Sequence, residues 1–217
     1  MIIAIDGPSG SGKSTIAKFL AKKMNISYLD TGAMYRALGY YVLKKGILPE
    51  DAENVIPAIK DLEMNVWDEN GVQQVTVNGE NVTPFIRENK ISMAASTVSK
   101  IPEVRIKLVE LQREIAQKND CVLDGRDIGS YVLPNADYKF YMTADSLIRA
   151  QRRQAELALK GENIPLEVLK EEIEKRDFQD KNRSFAPLVC CEDAVVVDTS
   201  DKTIEEVADF VLKHICK

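Results

Sequence analysis

The sequence predicts an α/β protein: a five-stranded parallel sheet with helices on both faces and a small antiparallel β insertion. Three observations predict it. Met1–Asp6 (MIIAID), Gly7–Thr15 (GPSGSGKST) and Thr15–Met24 (TIAKFLAKKM) read as an apolar strand, a glycine-rich turn and a helix striped by Ile16, Phe19, Leu20 and Met24. Four further short apolar runs, Ile26–Asp30, Cys121–Asp124, Tyr138–Met142 and Ala194–Asp198, alternate with helical patterns, as in sheets covered on both faces. From Glu63 to about Ile86 the texture changes to period-two segments split by Asn70-Gly71 and Asn78-Gly79, both strong hairpin signals.

The first turn fits G-x-x-x-x-G-K-[ST] at Gly7, Gly12, Lys13 and Ser14, in the required strand–turn–helix context. Gly7, Pro8, Ser9, Gly10, Ser11, Gly12, Lys13, Ser14 and Thr15 are therefore candidate ligands of nucleoside-triphosphate phosphates. In such a loop backbone N–H groups turn onto phosphate oxygens and the helix N-terminus adds partial positive charge. Lys13 would reach the β- and γ-phosphates and the Ser14 hydroxyl would ligand Mg²⁺.

The second strand ends in Thr31–Arg36, after which a helical pattern runs through Ala37, Leu38, Tyr41, Val42 and Leu43 to Gly46. A helix is expected over Ala52–Asp61, against the objection of Pro57. The inserted antiparallel sheet comprises Met64–Trp67 and Val72–Val77, with Asn78-Gly79 as a second turn before Val82 and Trp67 assigned to its small core. Helices are expected over Arg87–Ser99 and Pro102–Lys118, the latter with proline at its start. The third strand ends in Asp124, followed by Gly125-Arg126-Asp127. Ser146 to about Leu159 forms a helix, Gly161–Pro165 a break, and a further helix runs to about Asn182. Thr203-Ile204-Glu205-Glu206 is a capping box opening the last helix, and His214 is placed on the surface near its end.

Ligands of such a sheet sit at the carboxyl ends of the strands, where Asp6, Asp30 and Asp124 fall. Asp124 either assists Mg²⁺ or caps the following turn, and Tyr35 either stacks on a base or packs against its neighbours. Arginines supply the charge neutralisation that phosphoryl transfer requires: Arg36, Arg126, then Arg149, Arg152, Arg153, Arg176 and Arg183. The segment from Arg149 to Arg183, two charged helices about a Gly/Pro turn, has the make-up of a lid that excludes water.

At 217 residues, 45% hydrophobic and 29% charged, the chain suits one globular core with an inserted subdomain. The net charge of −5 argues against a nucleic-acid partner. No run approaches a membrane span and no signal peptide is expected. Four cysteines without C-x-x-C spacing and a single histidine argue against a zinc site or histidine triad; the cysteines read as reduced and the protein as cytoplasmic. A monomer is expected.

Four motifs in order, GPSGSGKST (7–15), DTGAMYR (30–36), DGRDIG (124–129) and RDFQDKNR followed by SFAPL (176–188), make the chain resemble the bacterial cytidylate kinases over essentially its whole length. The resemblance implies an adenylate-kinase-like core (1–30, 100–148 and 184–217), a monophosphate-binding subdomain with the β insertion (about 31–99) and a lid (about 149–183). It implies transfer from ATP, with Mg²⁺, to CMP or dCMP. Arg36, Arg126 and Arg183 would hold the CMP phosphate, and Arg176 and Asp180 would meet the ribose. Thr31, Tyr35, Ser96, Arg105 and Asp127 would surround the cytosine, Ser96 and Arg105 being aligned by spacing alone. Lys13, Arg126, Arg153 and Arg183 form the expected catalytic set, with Ser14 and Asp124 at the metal. Two departures are visible: Thr31 stands where serine is common, and Cys190-Cys191 where the family usually carries proline. Rivals are another small-molecule kinase of this fold, a regulatory GTPase and a nucleic-acid ATPase. The DGRD and RDxxDxxR pair argues against the first, the absence of N/T-K-x-D after a late strand against the second, and the charge against the third.

Overall fold

The computed structural model describes residues 1–159 and 161–215; Cys216 lies outside the described residues. Two sheets are present. The larger is a five-stranded parallel sheet of β1 (Ile2–Asp6), β2 (Ser27–Asp30), β6 (Cys121–Gly125), β7 (Tyr138–Thr143) and β8 (Val195–Asp198), in the order β2-β6-β1-β7-β8. Helices lie on both of its sides. The strand at the centre, β1, is wholly apolar until its last residue. It pairs with β6 (Ile5 opposite Asp124) and with β7 (Asp6 opposite Tyr141), so Asp6, Gly125 and Tyr141 share one level at the carboxyl end. Ile3, Ala4 and Ile5 are fully buried, as a strand covered on both faces requires.

By contacts the chain forms two compact units, Met1–Ser27 with Asn119–Lys217, and Tyr28–Lys118. The first unit contains α1 (Lys13–Met24), packed against β6 and α8 (Ile204–Ile215), and the pair α6 (Ser146–Ala158) and α7 (Leu166–Asn182). The α6–α7 pair has its own small core of Ala150, Leu157, Leu169 and Ile173, flanked by Ile164 and Leu166. The expected capping box is present: Thr203 N–H donates to Glu206 Oε2 (2.9 Å) and Glu206 N–H to Thr203 Oγ1 (3.2 Å). His214 is only partly exposed. Its ring tilts onto Phe210 and meets Phe140 edge-on, so it packs rather than standing on the surface.

The second unit holds α2 (Thr31–Lys44), α3 (Ala52–Ile59), α4 (Asn89–Val98) and α5 (Pro102–Ala116), together with the antiparallel sheet β3 (Met64–Glu69), β4 (Val72–Val77) and β5 (Glu80–Asn81). Both hairpin turns have positive φ at each central residue, Asn70 and Gly71, then Asn78 and Gly79, the geometry that matches strand twist. Two expectations need correction and a third is met. The α2 helix begins at Thr31 and not after Arg36, because the Asp30 carboxylate caps it by accepting from Ala33 N–H (2.8 Å). The helix expected around Pro57 is present as α3, with the proline inside it at the cost of one backbone bond. Trp67 is 40% exposed. The two-residue period puts it opposite Gln74 on the outer face, while Met64, Val75 and Val77 are buried on the other.

Candidate active site

The phosphate loop, residues 7–12, joins β1 to α1. Gly7 enters it at φ +145°, where a Cβ would lie 1.9 Å from the Met142 carbonyl oxygen of β7, and Gly12 ends it at φ +85° as the residue before α1. The loop's backbone carbonyls are held one after another. Pro8 O accepts from Lys13 Nζ (2.6 Å) and Ser11 Oγ (3.0 Å), and Ser9 O from Arg149 Nη1 (3.0 Å). Gly10 O accepts from Arg152 Nη1 (3.4 Å), and Ser11 O from Thr199 Oγ1 (3.1 Å). Arg149 also donates to Ala144 O (2.9 Å) and pairs with Asp177 (2.7 Å), and Arg152 donates to Thr199 O (2.6 Å). Two arginines read from the sequence as facing phosphates thus engage the loop's backbone.

Lys13 is buried. Burial, with the neighbouring charges of Arg126 and Arg176, pushes its ammonium well below the usual lysine range, against the opposing pull of Asp124 and Asp6. Ser14 Oγ donates to Asp124 Oδ2 at 2.7 Å. A hydroxyl beside a carboxylate is a hard-oxygen pair of the kind Mg²⁺ takes from protein while keeping water and phosphate oxygens as its other ligands. Asp6 accepts from the backbone N–H groups of Ile128 (2.8 Å) and Gly129 (2.7 Å) and so anchors the loop after Asp127. Burial pushes its carboxyl up to about 6, even though both N–H bonds favour the anion.

The motifs at 124–129 and 176–188 meet within the first unit. Arg126 Nε pairs with Asp180 Oδ2 (3.0 Å); Arg183 reaches Asp180 Oδ1 (3.7 Å) and Asp127 Oδ1 (3.4 Å), and donates to Ala186 O (2.7 Å). Asp180 is 4% exposed. Burial raises its pKa, but Arg126, Arg176 and Arg183 outweigh it and hold the carboxyl below the usual range. The carboxylate has roughly four lone-pair sites, more than these contacts occupy. Arg153 lies on α6, 3.3 Å from Glu156 one turn on. Asp127 leads into a π turn, Ile128–Val132.

In the second unit, Thr31 is the first residue of α2 and is buried. Arg36, one turn on, pairs with Asp30 at 2.8 Å. Burial raises the Asp30 pKa, but Arg36 and Arg87 bring it below the usual range. Arg105, 1% exposed on α5, sets its guanidinium carbon 5.3 Å from the Tyr35 ring centroid, a cation–π contact, so Tyr35 does pack against a neighbour. Ser96, on α4, is buried. The clamps made by Thr199 and Asp177 have no sequence signal except that Asp177 falls inside the 176–183 motif.

A family model described as cytidylate kinase matches residues 3–217. The chain is 49% identical to the cytidylate kinase of Clostridioides difficile (strain 630), over 99% of this chain and 98% of that one. It is 47% identical to the cytidylate kinase of Caldicellulosiruptor bescii, over 99% and 95%. Among solved structures, an uncharacterized protein from Eubacterium ventriosum superposes with a TM-score of 0.53 at 17% identity (100% and 98% covered). A gluconokinase from Sinorhizobium meliloti superposes at 0.51 and 13% (99% and 90%). At such identities these two speak for the fold alone. Full-length similarity near one-half, together with the joined 124–129 and 176–188 motifs, places this chain in the cytidylate kinase family.

Proposed function

We propose that the protein is an ATP-dependent (d)CMP kinase, transferring the γ-phosphoryl group to CMP or dCMP to give ADP and CDP or dCDP. The observation that carries the reading is the network of Arg126, Asp127, Asp180 and Arg183, which unites the two motifs most particular to the family.

With its carbonyls engaged by side chains, the phosphate loop keeps its backbone N–H groups for the ATP phosphates. Lys13 meets the charge that builds on the transferring group, where a cation is worth most. Mg²⁺, when bound at Ser14 and Asp124, supplies further neutralisation of the phosphates. Arg126 and Arg183 take the CMP phosphate, with Arg153 adding charge during transfer. Arg176 and Asp180 take the ribose. From the second unit, Arg36 is assigned to the CMP phosphate, and Thr31, Tyr35, Ser96 and Arg105 to the base, with Asp127 accepting from the cytosine amino group. Residues 149–183 act as a lid that excludes water. The protein is read as a monomeric cytoplasmic enzyme; no described helix is long and apolar enough to cross a membrane.

The test is a coupled ADP-release assay with CMP, dCMP, UMP, AMP and GMP as acceptors. CMP and dCMP should be strongly preferred; UMP turnover matching that of CMP would overturn the base reading.

A further inference from the structure

The antiparallel insertion contains none of the four family motifs, yet one of its side chains is built into the start of DTGAMYR. Gln73, on β4 and 8% exposed, bonds both backbone groups of Asp30: Asp30 N–H donates to Gln73 Oε1 (2.7 Å), and Gln73 Nε2 donates to Asp30 O (3.1 Å). This two-way pairing admits one orientation of the amide, since an N–H must meet the oxygen and a carbonyl the nitrogen. It does what a neighbouring strand would do for β2, which ends the sheet order and whose outward backbone groups need a partner.

Asp30 is the residue on which the start of α2 depends. Its carboxylate caps the helix through Ala33 N–H (2.8 Å) and holds Arg36 Nη2 (2.8 Å). Asp30 is thus gripped at the main chain by Gln73 and at the side chain by α2. The first two turns of α2 carry Thr31, Tyr35 and Arg36. We infer that Gln73 is a positioning residue for the nucleoside monophosphate, the means by which the inserted sheet fixes the helix turn that presents Thr31, Tyr35 and Arg36. This rests on the reading of those three as CMP groups. Glutamine suits this role because its amide supplies donor and acceptor at once, with no charge to oppose the Asp30 carboxylate. The insertion then contributes to substrate binding without touching substrate.

The test compares Gln73→Met, which keeps length and volume and removes both bonds, with Gln73→Glu, which keeps the acceptor but turns a second carboxylate towards Asp30. Gln74→Met, on the opposite face of β4, is the control. Loss of the clamp should raise KM for CMP roughly 5- to 30-fold, the effect of one or two neutral hydrogen bonds. KM for ATP should stay within about twofold, because the change is confined to monophosphate binding. Gln74→Met should match wild type. CMP titrations of the folded variants, followed calorimetrically, should show the same loss, and Gln73→Glu carries the test if Gln73→Met does not melt cooperatively. Unchanged KM for CMP in the folded variants, or equal increases for CMP and ATP, would overturn the inference. Wild type that phosphorylates CMP while the variants match it removes the role of Gln73 alone; wild type inactive on CMP removes the functional reading beneath it.

Discussion

Replacing Arg149 with methionine should weaken both the first unit and its use of ATP. The arginine side chain is 6% exposed and spends its guanidinium on Asp177 (2.7 Å), Ala144 O (2.9 Å) and Ser9 O (3.0 Å). Methionine retains the stem and none of these bonds. Asp177, its side chain 14% exposed, would then hold a charge without its guanidinium, and its Oδ1 already has no hydrogen-bond partner among the described residues. An exposed ion pair contributes ~0–1 kcal/mol. Breaking a buried pair from one side costs ~3–5 kcal/mol, because the remaining charge stays desolvated. The burial here selects the second figure, which corresponds to a fall in Tm of about 6–20 °C for a chain of this size. The Asp177→Leu variant should also be destabilised. The double variant should recover ~0.5–3 kcal/mol relative to the sum of the singles, since neither charge is stranded. Because Ser9 O loses its donor, KM for ATP should rise more than KM for CMP. Urea unfolding of the four proteins and initial-rate kinetics make the measurement. A loss under about 1 kcal/mol for Arg149→Met, or strictly additive penalties, would refute the clamp.

Lys13→Ala should fold and lose turnover by about 10²-fold or more, since its charge acts on the transferring phosphoryl group; near-normal kcat in the folded variant would remove its assigned role. Asp180→Ala should weaken CMP more than dCMP if the carboxylate meets the 2′-hydroxyl, by up to about 1.5–3 kcal/mol; equal losses in the two titrations would place Asp180 off the ribose. Asp6 makes stability depend on pH. Its folded carboxyl ionises near 6 and its unfolded one near 3.9, so between these values the folded state binds more protons and stability declines as pH rises, by on the order of 3 kcal/mol. Asp180 acts in the opposite sense: its folded pKa is lowered, so its contribution is present above about pH 4 and lost as pH falls further. The difference in unfolding free energy between wild type and Asp6→Asn should therefore shrink across about pH 4 to 6; a flat difference would refute the assignment.

Local chemistry makes the elements legible. Buried strands such as IIAID and CVLDG need continuous apolar runs, Asn-Gly suits only turns with positive φ, and a capping box is a reciprocal bond between residues three apart. Each is decided within a few residues, so each is readable. Trp67 departs from its expected place because the pleat, and not hydrophobicity, decides which face a strand residue takes. The α2 helix starts earlier than its apolar pattern suggests because the cap depends on the Asp30 side chain turning forward to Ala33.

The sequence by itself determined the order of strands and helices, the phosphate loop and the motif arginines, since those depend on spacing along the chain. It could not say which arginines hold the phosphate loop's backbone and which pair with Asp180. Arg149, Arg152 and Arg126 have the same chemistry, and only the fold sets the first two against Ser9 O and Gly10 O and the third against Asp180. Nor could it pair residues distant in the chain, such as Gln73 with Asp30, Thr199 with Ser11 or Asp6 with Gly129. The physical reason is that a buried carbonyl or N–H requires some partner but specifies none. Which side chain arrives is settled by how the helices and sheets pack.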